Sequence, residues 1–474
     1  MAATKTRAPG FHCVECGWTS IKWVGRCGEC QAWGTVEEVG APVGRTIAAG
    51  RIERPAVPIG EVDLTQASAR STGVGELDRV LGGGLVRGSV VLVAGEPGIG
   101  KSTLLLDVAA RAARDGDEGG RTVLYISGEE SAAQVRGRAD RIGAIAERLY
   151  LSAETDLATV LAHIDRLSPD LVVVDSVQTI TSTAVEGAAG NVSQVREVAA
   201  ALINRAKSAG IAMLLVGHVT KDGSIAGPRA LEHLVDVVLA FDGDRHSRLR
   251  LVRAVKNRYG PTDEVGCFDL SDTGIVGLDD PSGLFLSSRH ITVPGTCATV
   301  TLEGRRPLVT EVQALVTESQ QSVARRTSVG LDSARVAMVA AVLHRRAGLP
   351  MLKSDAYVST VGGVRITEPA SDLAVAIAIT SAMLDEAVPH TLLAIGEVGL
   401  SGEIRPAVGV SRRLTEAARL GFTVAVVPQG AMRDITPPST IEVLEAAHLT
   451  HAIAEFRRRL PPSAEVVPIR PLLH

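Results

Sequence analysis

The 474-residue chain has no strong excess of either charge: 49 Lys and Arg stand against 53 Asp and Glu, for a net charge of −4. That excludes a protein that is basic as a whole, so any nucleic-acid surface has to be a local patch. Long apolar runs are missing as well. None reaches the ~18 residues that span a bilayer, and the opening MAATKTRAPGFH lacks the apolar core of a signal peptide. The most apolar stretches, 336–343 and 373–384, are too short to span and read as core helices. A cytoplasmic setting with no membrane partner is the expectation. Cysteine is scarce, with six in the chain, and disulfides are disfavoured in that setting, so clustered cysteines read first as metal ligands. Tryptophan is scarcer still, at three. What remains, 45% hydrophobic and 22% charged residues, is the composition of a globular protein long enough for two or three domains.

Four of the cysteines fall in residues 11–34, as Cys13-x-x-Cys16 and Cys27-x-x-Cys30, ten residues apart. Glycine follows Cys16 and Cys27, which suits tight knuckles that converge two thiolates each on one ion. Four thiolates in tetrahedral array select Zn²⁺, and a segment this short needs the metal to fold. All three tryptophans, Trp18, Trp23 and Trp33, lie in this module with Lys22 and Arg26 among them. They suit either stacking on single-stranded bases or a small core over the zinc. Cys267 and Cys297 are isolated and read as buried small hydrophobes. Residues 35–66 carry Gly, Ala, Pro and scattered charge without periodicity, and read as a linker.

Residues 67–275 alternate strand and helix patterns, which predicts an α/β domain with a mainly parallel sheet. Its centre is Val90 to Leu104: an apolar strand, then Gly95-Glu96-Pro97-Gly98-Ile99-Gly100-Lys101-Ser102-Thr103, then the periodicity of a helix. That is the full phosphate-binding loop pattern. Its glycines let backbone N–H groups wrap an anion at a helix N-terminus, Lys101 neutralises the outer phosphates, and Ser102 ligates Mg²⁺. The run TVLYIS at 122–127 predicts a second strand, ending at Glu129 and Glu130; either carboxylate could activate water. LVVVD predicts a third strand ending in Asp175, placed to hold Mg²⁺ through water. A fourth ends at His218, a candidate γ-phosphate sensor. The loop at 219–231 carries Lys221 and Arg229, cations suited to a DNA backbone.

The segments GEPGIGKST, SGEES, LVVVDS, GHVTKDGSIAGPRALEHLVD and Lys-Asn-Arg-Tyr-Gly at 256–260 together resemble the bacterial RadA (Sms) family of RecA-like DNA-repair ATPases. The four-cysteine module matches too, so the resemblance covers nearly the whole chain. Tyr259 stands where that family usually has Phe. The resemblance implies ATP with Mg²⁺, and it makes Lys256 and Arg258 candidates for a finger reaching a neighbour's nucleotide or for a DNA contact. From chemistry alone, Leu249 to Val255 is a strand ending in a basic turn.

Residues 285–474 predict a second α/β domain, with helices at 332–346, 370–384 and 410–419 and strands at 391–398 and 422–427. This span resembles the peptidase domain of the Lon family, which uses a Ser–Lys dyad. Glu368-Pro369-Ala370-Ser371-Asp372 matches that family's nucleophile segment and puts Ala370 in the serine's place; Ser411 replaces the lysine. Ser371, one residue along, reads as a helix N-cap or a chance serine. With no lysine to take its proton a serine hydroxyl is a weak nucleophile, so proteolysis is not expected. The fold class expected is therefore a RecA-like P-loop ATPase core between an N-terminal zinc module and a catalytically inactive, Lon-peptidase-like α/β domain. The resemblance further implies a homo-hexameric ring that binds single-stranded and branched DNA, promotes branch migration and works with a RecA-type recombinase. Two other readings stand beside it: a nucleotide-switched platform that recruits a recombinase without translocating, and, less favoured, an ATP-dependent protease.

Overall fold

The computed structural model describes residues 10–38, 57–61, 68–114, 120–218, 231–243, 248–284, 286, 293–321 and 323–460. The chain divides into two compact units, Met1–Asp63 and Leu64–His474.

In the first unit three short antiparallel strands pair in the order Thr19–Ser20, Phe11–Cys13, Val36–Glu38. Among the described residues its core is Cys13, Cys27 and Val36, with Phe11, Trp18 and Val24 packed around them. So few apolar side chains cannot stabilise a fold by burial alone.

The second unit is built on two sheets. The larger has nine strands, in spatial order Gly274–Gly277, Val265–Ser271, Leu249–Asn257, Val237–Asp242, Val90–Gly95, Ala212–His218, Leu171–Asp175, Val123–Ser127 and Leu149–Ser152. The last six run parallel; the first three extend the sheet antiparallel beyond Val237–Asp242. The Val90 strand is buried on both faces. Val91 and Val93 pack with the helices Gly75–Leu81 and Lys101–Arg114, while Val90 and Leu92 pack with Leu157–Leu167 and Val192–Ala209. Burial on both sides is why this strand and LVVVD read as unbroken apolar runs. The strand expected at 249–255 continues to Asn257, so Lys256 lies within it.

The second sheet has seven strands, in the order Arg326–Val329, Ser354–Thr360, Arg306–Glu318, Thr296–Glu303, Leu392–Ala394, Val424–Pro428, Glu442–Ala446. Helices Ser333–Ala347, Asp372–Leu384 and Leu449–Arg457 share one core with it, and Val410–Arg419 packs into another. The single strand expected at 391–398 is two pieces. Leu392–Ala394 stays in the sheet, while Glu397–Val398 pairs with Ile404–Arg405. The break falls where the Gly396 N–H turns to the Ala370 carbonyl, 2.7 Å away. Ser371 does take the N-cap position of Asp372–Leu384, but its side chain caps nothing; the hydroxyl donates to the Glu368 carbonyl at 3.2 Å. Cys267 and Cys297 are fully buried, and burial pushes the Cys267 thiol up to about 12, as expected of structural cysteines.

A hairpin tip, residues 303–306, joins the two sheets. Arg306 ion-pairs with Glu76 and donates to the Leu278 and Asp279 carbonyls, both at 2.9 Å. Glu76 is 1% exposed and also accepts the Cys267 N–H at 2.8 Å. Glu303 and Arg305 pair outside it with Arg253 at 3.0 Å and Asp263 at 3.2 Å. Removing Arg306 leaves the buried carboxylate with the Cys267 N–H and a half-exposed Arg79 at 3.4 Å as its partners. Arg306→Ala should therefore cost about 3–5 kcal/mol, read as a lower urea midpoint. Pairing Arg306→Met with Glu76→Gln should recover much of that loss.

Candidate nucleotide site and zinc centre

The phosphate loop leaves its strand at Gly95 and enters the helix at Lys101. A Cβ on Gly95 would lie 2.6 Å from the Phe241 carbonyl oxygen, and Gly100 has φ +113°, so both motif glycines are sterically required. The Lys101 ammonium folds back onto the loop, donating to the Gly95 and Glu96 carbonyls at 2.8 and 2.7 Å. Burial pulls its pKa down to about 8, against the opposing charges of Asp175, Glu129 and Glu96. Parallel pairing puts His218 opposite Gly95 and Ser127 opposite Asp175, so the expected loop, acid and histidine reach the same sheet edge.

Asp175 is 7% exposed, and the Tyr125 phenol donates to its Oδ2 at 2.6 Å. Among the described residues Oδ1 has no partner, which suits a carboxylate that shares a Mg²⁺ hydration shell. The two glutamates separate clearly. Glu130 turns away and ion-pairs with Arg138. Glu129 faces the loop: its Oε1 accepts the Ser176 hydroxyl at 2.7 Å and lies 2.8 Å from His218 Nε2. The His218 hydrogen bond, then that of Ser176 and the charge of Lys101, hold the Glu129 carboxyl down at about 2 although burial opposes them. The Gln178 amide fixes the His218 backbone from both sides, at 3.1 Å each.

Lys256 and Arg258 lie elsewhere. Lys256 donates to the Glu232 and Val235 carbonyls at 2.7 and 2.8 Å, and burial lowers its pKa. Arg258 pairs with the buried Asp236, which also binds Lys207 at 2.9 Å and the Val90 N–H at 3.0 Å. Val90 and Gly95 are opposite ends of one strand, about 17 Å apart at 3.3 Å per residue. The basic turn is thus remote from its own chain's phosphate loop. Lys221 and Arg229 lie outside the described residues.

Three site residues escape a reading of the sequence. Ser176 is fully buried beside Asp175. Tyr125 could have been suspected, since a phenol inside an aliphatic strand needs a polar partner. Arg250, 6% exposed, donates from Nε to the Ile99 carbonyl of the phosphate loop at 3.0 Å; nothing in the alternation of its strand marks it.

In the N-terminal unit the four thiols of Cys13, Cys16, Cys27 and Cys30 lie within 4.8 Å of one another. The Cys13–Cys30 and Cys16–Cys27 sulfurs are 3.7 and 3.6 Å apart. Zinc–sulfur bonds of about 2.3 Å in a tetrahedron require about 3.8 Å, so the cysteines fit Zn²⁺. The tryptophans divide. Trp18 packs over Gly28 as core, while Trp23 and Trp33 are 64% and 74% exposed on either side of Gly25, with the Arg26 guanidinium 5.7 Å from the Trp33 ring.

In the C-terminal region Ala370 and Ser371 are buried and Ser411 is exposed. Beside them a buried ion pair crosses between their elements: Arg413, 0% exposed, holds both oxygens of Glu368 at 2.7 and 2.6 Å. Glu368 also accepts the Leu302 N–H at 2.8 Å.

This fold and site define a P-loop ATPase core of the RecA type, carrying a four-cysteine zinc module and a peptidase-like C-terminal region. Residues 60–224 match the family model of an AAA domain, 11–38 that of a rubredoxin metal binding domain, and 361–431 that of subunit ChlI of Mg-chelatase. The chain is 54% identical over 467 residues to DNA repair protein RadA of Mycolicibacterium smegmatis, covering 96% of this chain and 98% of that one. It is 54% identical to the protein of that name in Mycobacterium tuberculosis, over 94% and 92% of the two chains. To that of Streptococcus pyogenes it is 47% identical, over 92% and 95%. The chain belongs to the RadA family of DNA repair proteins. No helix among its described residues is long and apolar enough to cross a membrane.

Two measurements test these centres. The purified protein should hold one zinc per chain, and Cys27→Ser should release it and expose residues 11–38 to proteolysis; full metal content in that variant would refute the site. The second concerns Lys101, whose pKa is pulled down to about 8 and whose charged form is the one a phosphate would select. Below that pH the ammonium is already present and affinity for a non-hydrolysable ATP analogue should be flat. Above it, binding must first take up a proton, so affinity should fall by up to about tenfold per pH unit. Calorimetry at pH 8.5 in buffers of different ionisation heat should register that uptake.

Proposed function

We propose that this protein is a DNA-dependent ATPase of recombinational repair, which binds single-stranded DNA and drives branch migration as a homo-hexameric ring. The observation that carries the reading is the convergence on one sheet edge of Lys101, Asp175 and Glu129; in the sequence, His218 directly precedes the segment that bears Lys221 and Arg229. In this reading residues 95–103 cradle the phosphates, and Ser102 and Asp175 hold Mg²⁺, which neutralises charge on the phosphates when bound. Glu129 orients the attacking water. A carboxyl held at about 2 takes a proton poorly, so it acts chiefly as a hydrogen-bond acceptor. The confinement of Glu130 by Arg138 argues against that residue. His218 senses the γ-phosphate through the Glu129 carboxylate that it holds.

Lys256 and Arg258 serve a neighbouring chain's nucleotide or the DNA, a role supported by their distance from their own phosphate loop. Lys221 and Arg229 take the DNA backbone. The name that the relatives carry, DNA repair protein RadA, supports a role in repair, and a RecA-type recombinase is the partner expected in the cytoplasm. The Glu368–Arg413 pair, beside Ala370 and Ser411, argues against peptidase action. The platform reading keeps one support, the net charge of −4.

The test is ATP hydrolysis by the zinc-loaded protein with and without single-stranded DNA. DNA should stimulate it severalfold, and Lys101→Ala should reduce it by about 100-fold or more, since one lost electrostatic contact to the transition state has that order of effect. Lys101-dependent hydrolysis that ignores DNA would overturn the motor in favour of the platform.

A further inference from the structure

We propose that Ser176 is a positioning residue for ATP hydrolysis: with His218 it anchors Oε1 of Glu129, so that Oε2 is the oxygen offered to the attacking water. The inference rests on the hydrolytic reading of this site. Both donors converge on one oxygen, at 2.7 and 2.8 Å, and among the described residues Oε2 has no partner. The Glu129 side chain is 41% exposed, so the anchored carboxylate still opens to solvent. A hydroxyl has one proton, and Ser176 directs its own to Glu129 from a site with 0% exposure.

The backbone around the pair is equally constrained. The Gly128 N–H donates to the Asp175 carbonyl at 2.9 Å, tying the glutamate turn to the residue before Ser176. The Thr179 hydroxyl donates to the Ser176 carbonyl at 2.7 Å, and a Cβ on Gly128 would lie 2.0 Å from that same Thr179 oxygen. Gly128 is therefore a close-approach glycine that lets the two turns pack. The strand end that presents Asp175 to the metal presents Ser176 to the glutamate, so both carboxylates are placed by one segment. A glutamate has three side-chain torsions; held by one oxygen, it stays oriented through the reaction, which is where its acceptor contributes.

The experiment uses the full-length zinc-loaded protein and reads kcat, KM and affinity for a fluorescent ATP analogue. Ser176→Ala should lower kcat about tenfold, with KM and analogue affinity within about twofold of wild type. His218→Ala, which removes the other donor on that oxygen, should lower kcat by a similar factor and serves if Ser176→Ala fails to fold. Each substitution is also made with Glu129→Gln. A residue that acts through Glu129 adds no further loss there, whereas a structural role would lower the residual rate again. Unchanged kcat in both single variants, or additive losses in the Glu129→Gln background, would overturn this assignment alone. Wild-type hydrolysis no faster than that of Lys101→Ala would overturn the hydrolytic reading, and this assignment with it.

Discussion

In a parallel sheet the hydrogen-bond ladder decides which residues of neighbouring strands end side by side. Here it sets Gly95 against His218 and Ser127 against Asp175, so the phosphate loop, the acid, the glutamate turn and the histidine all meet at that edge. The register can be strict because the strands are buried on both faces, where a slip of one residue would exchange the two cores. The basic turn around Arg258 leaves by the opposite edge of the same sheet, so the ladder that assembles the loop, the acid and the histidine also keeps that turn away from them.

Buried charge is the second constraint. Glu76, Asp236, Asp372 and Arg413 are all nearly inaccessible, and each is paired across a boundary in the fold. Glu76 meets Arg306 from the other sheet, and Asp236 gathers Lys207 and Arg258 at the base of its strand. Asp372 meets Arg335 from the preceding helix and accepts the Val398 N–H at 3.2 Å; Arg413 meets Glu368. Desolvated ions of this kind add little net stability, but they specify an arrangement, since any other packing leaves one of them unpaired. In the peptidase-like region the same device stands among the residues that resemble a dyad's surroundings. Among the described residues of the N-terminal unit there is no comparable core, and the convergence of four thiols takes over the organising role that apolar burial has elsewhere.

The sequence by itself determined whatever depends on local backbone chemistry or on residue period. The phosphate loop is legible because its glycines, Lys101 and Ser102 occur at fixed spacing within one segment. The zinc knuckles are legible for the same reason, and the apolar runs at 90–93 and 171–174 announce strands covered on both faces. The helices Ser333–Ala347 and Val410–Arg419 stand within a residue of where their patterns put them.

Tertiary structure decided which of two adjacent glutamates faces the loop. Glu129 and Glu130 are chemically identical in the sequence; Ser176 and His218, 47 and 89 residues away, claim one, and Arg138 claims the other. It divided the tryptophans, half-burying Trp18 against the small core and leaving Trp23 and Trp33 in solvent, and it split the strand expected at 391–398 because Gly396 bonds to Ala370. It also gave Tyr125, Ser176 and Arg250 their places at the site. These are pairings between residues far apart in the chain, and no local periodicity encodes them: a hydrogen bond across 47 residues exists only once the parallel ladder has brought its two strand ends together.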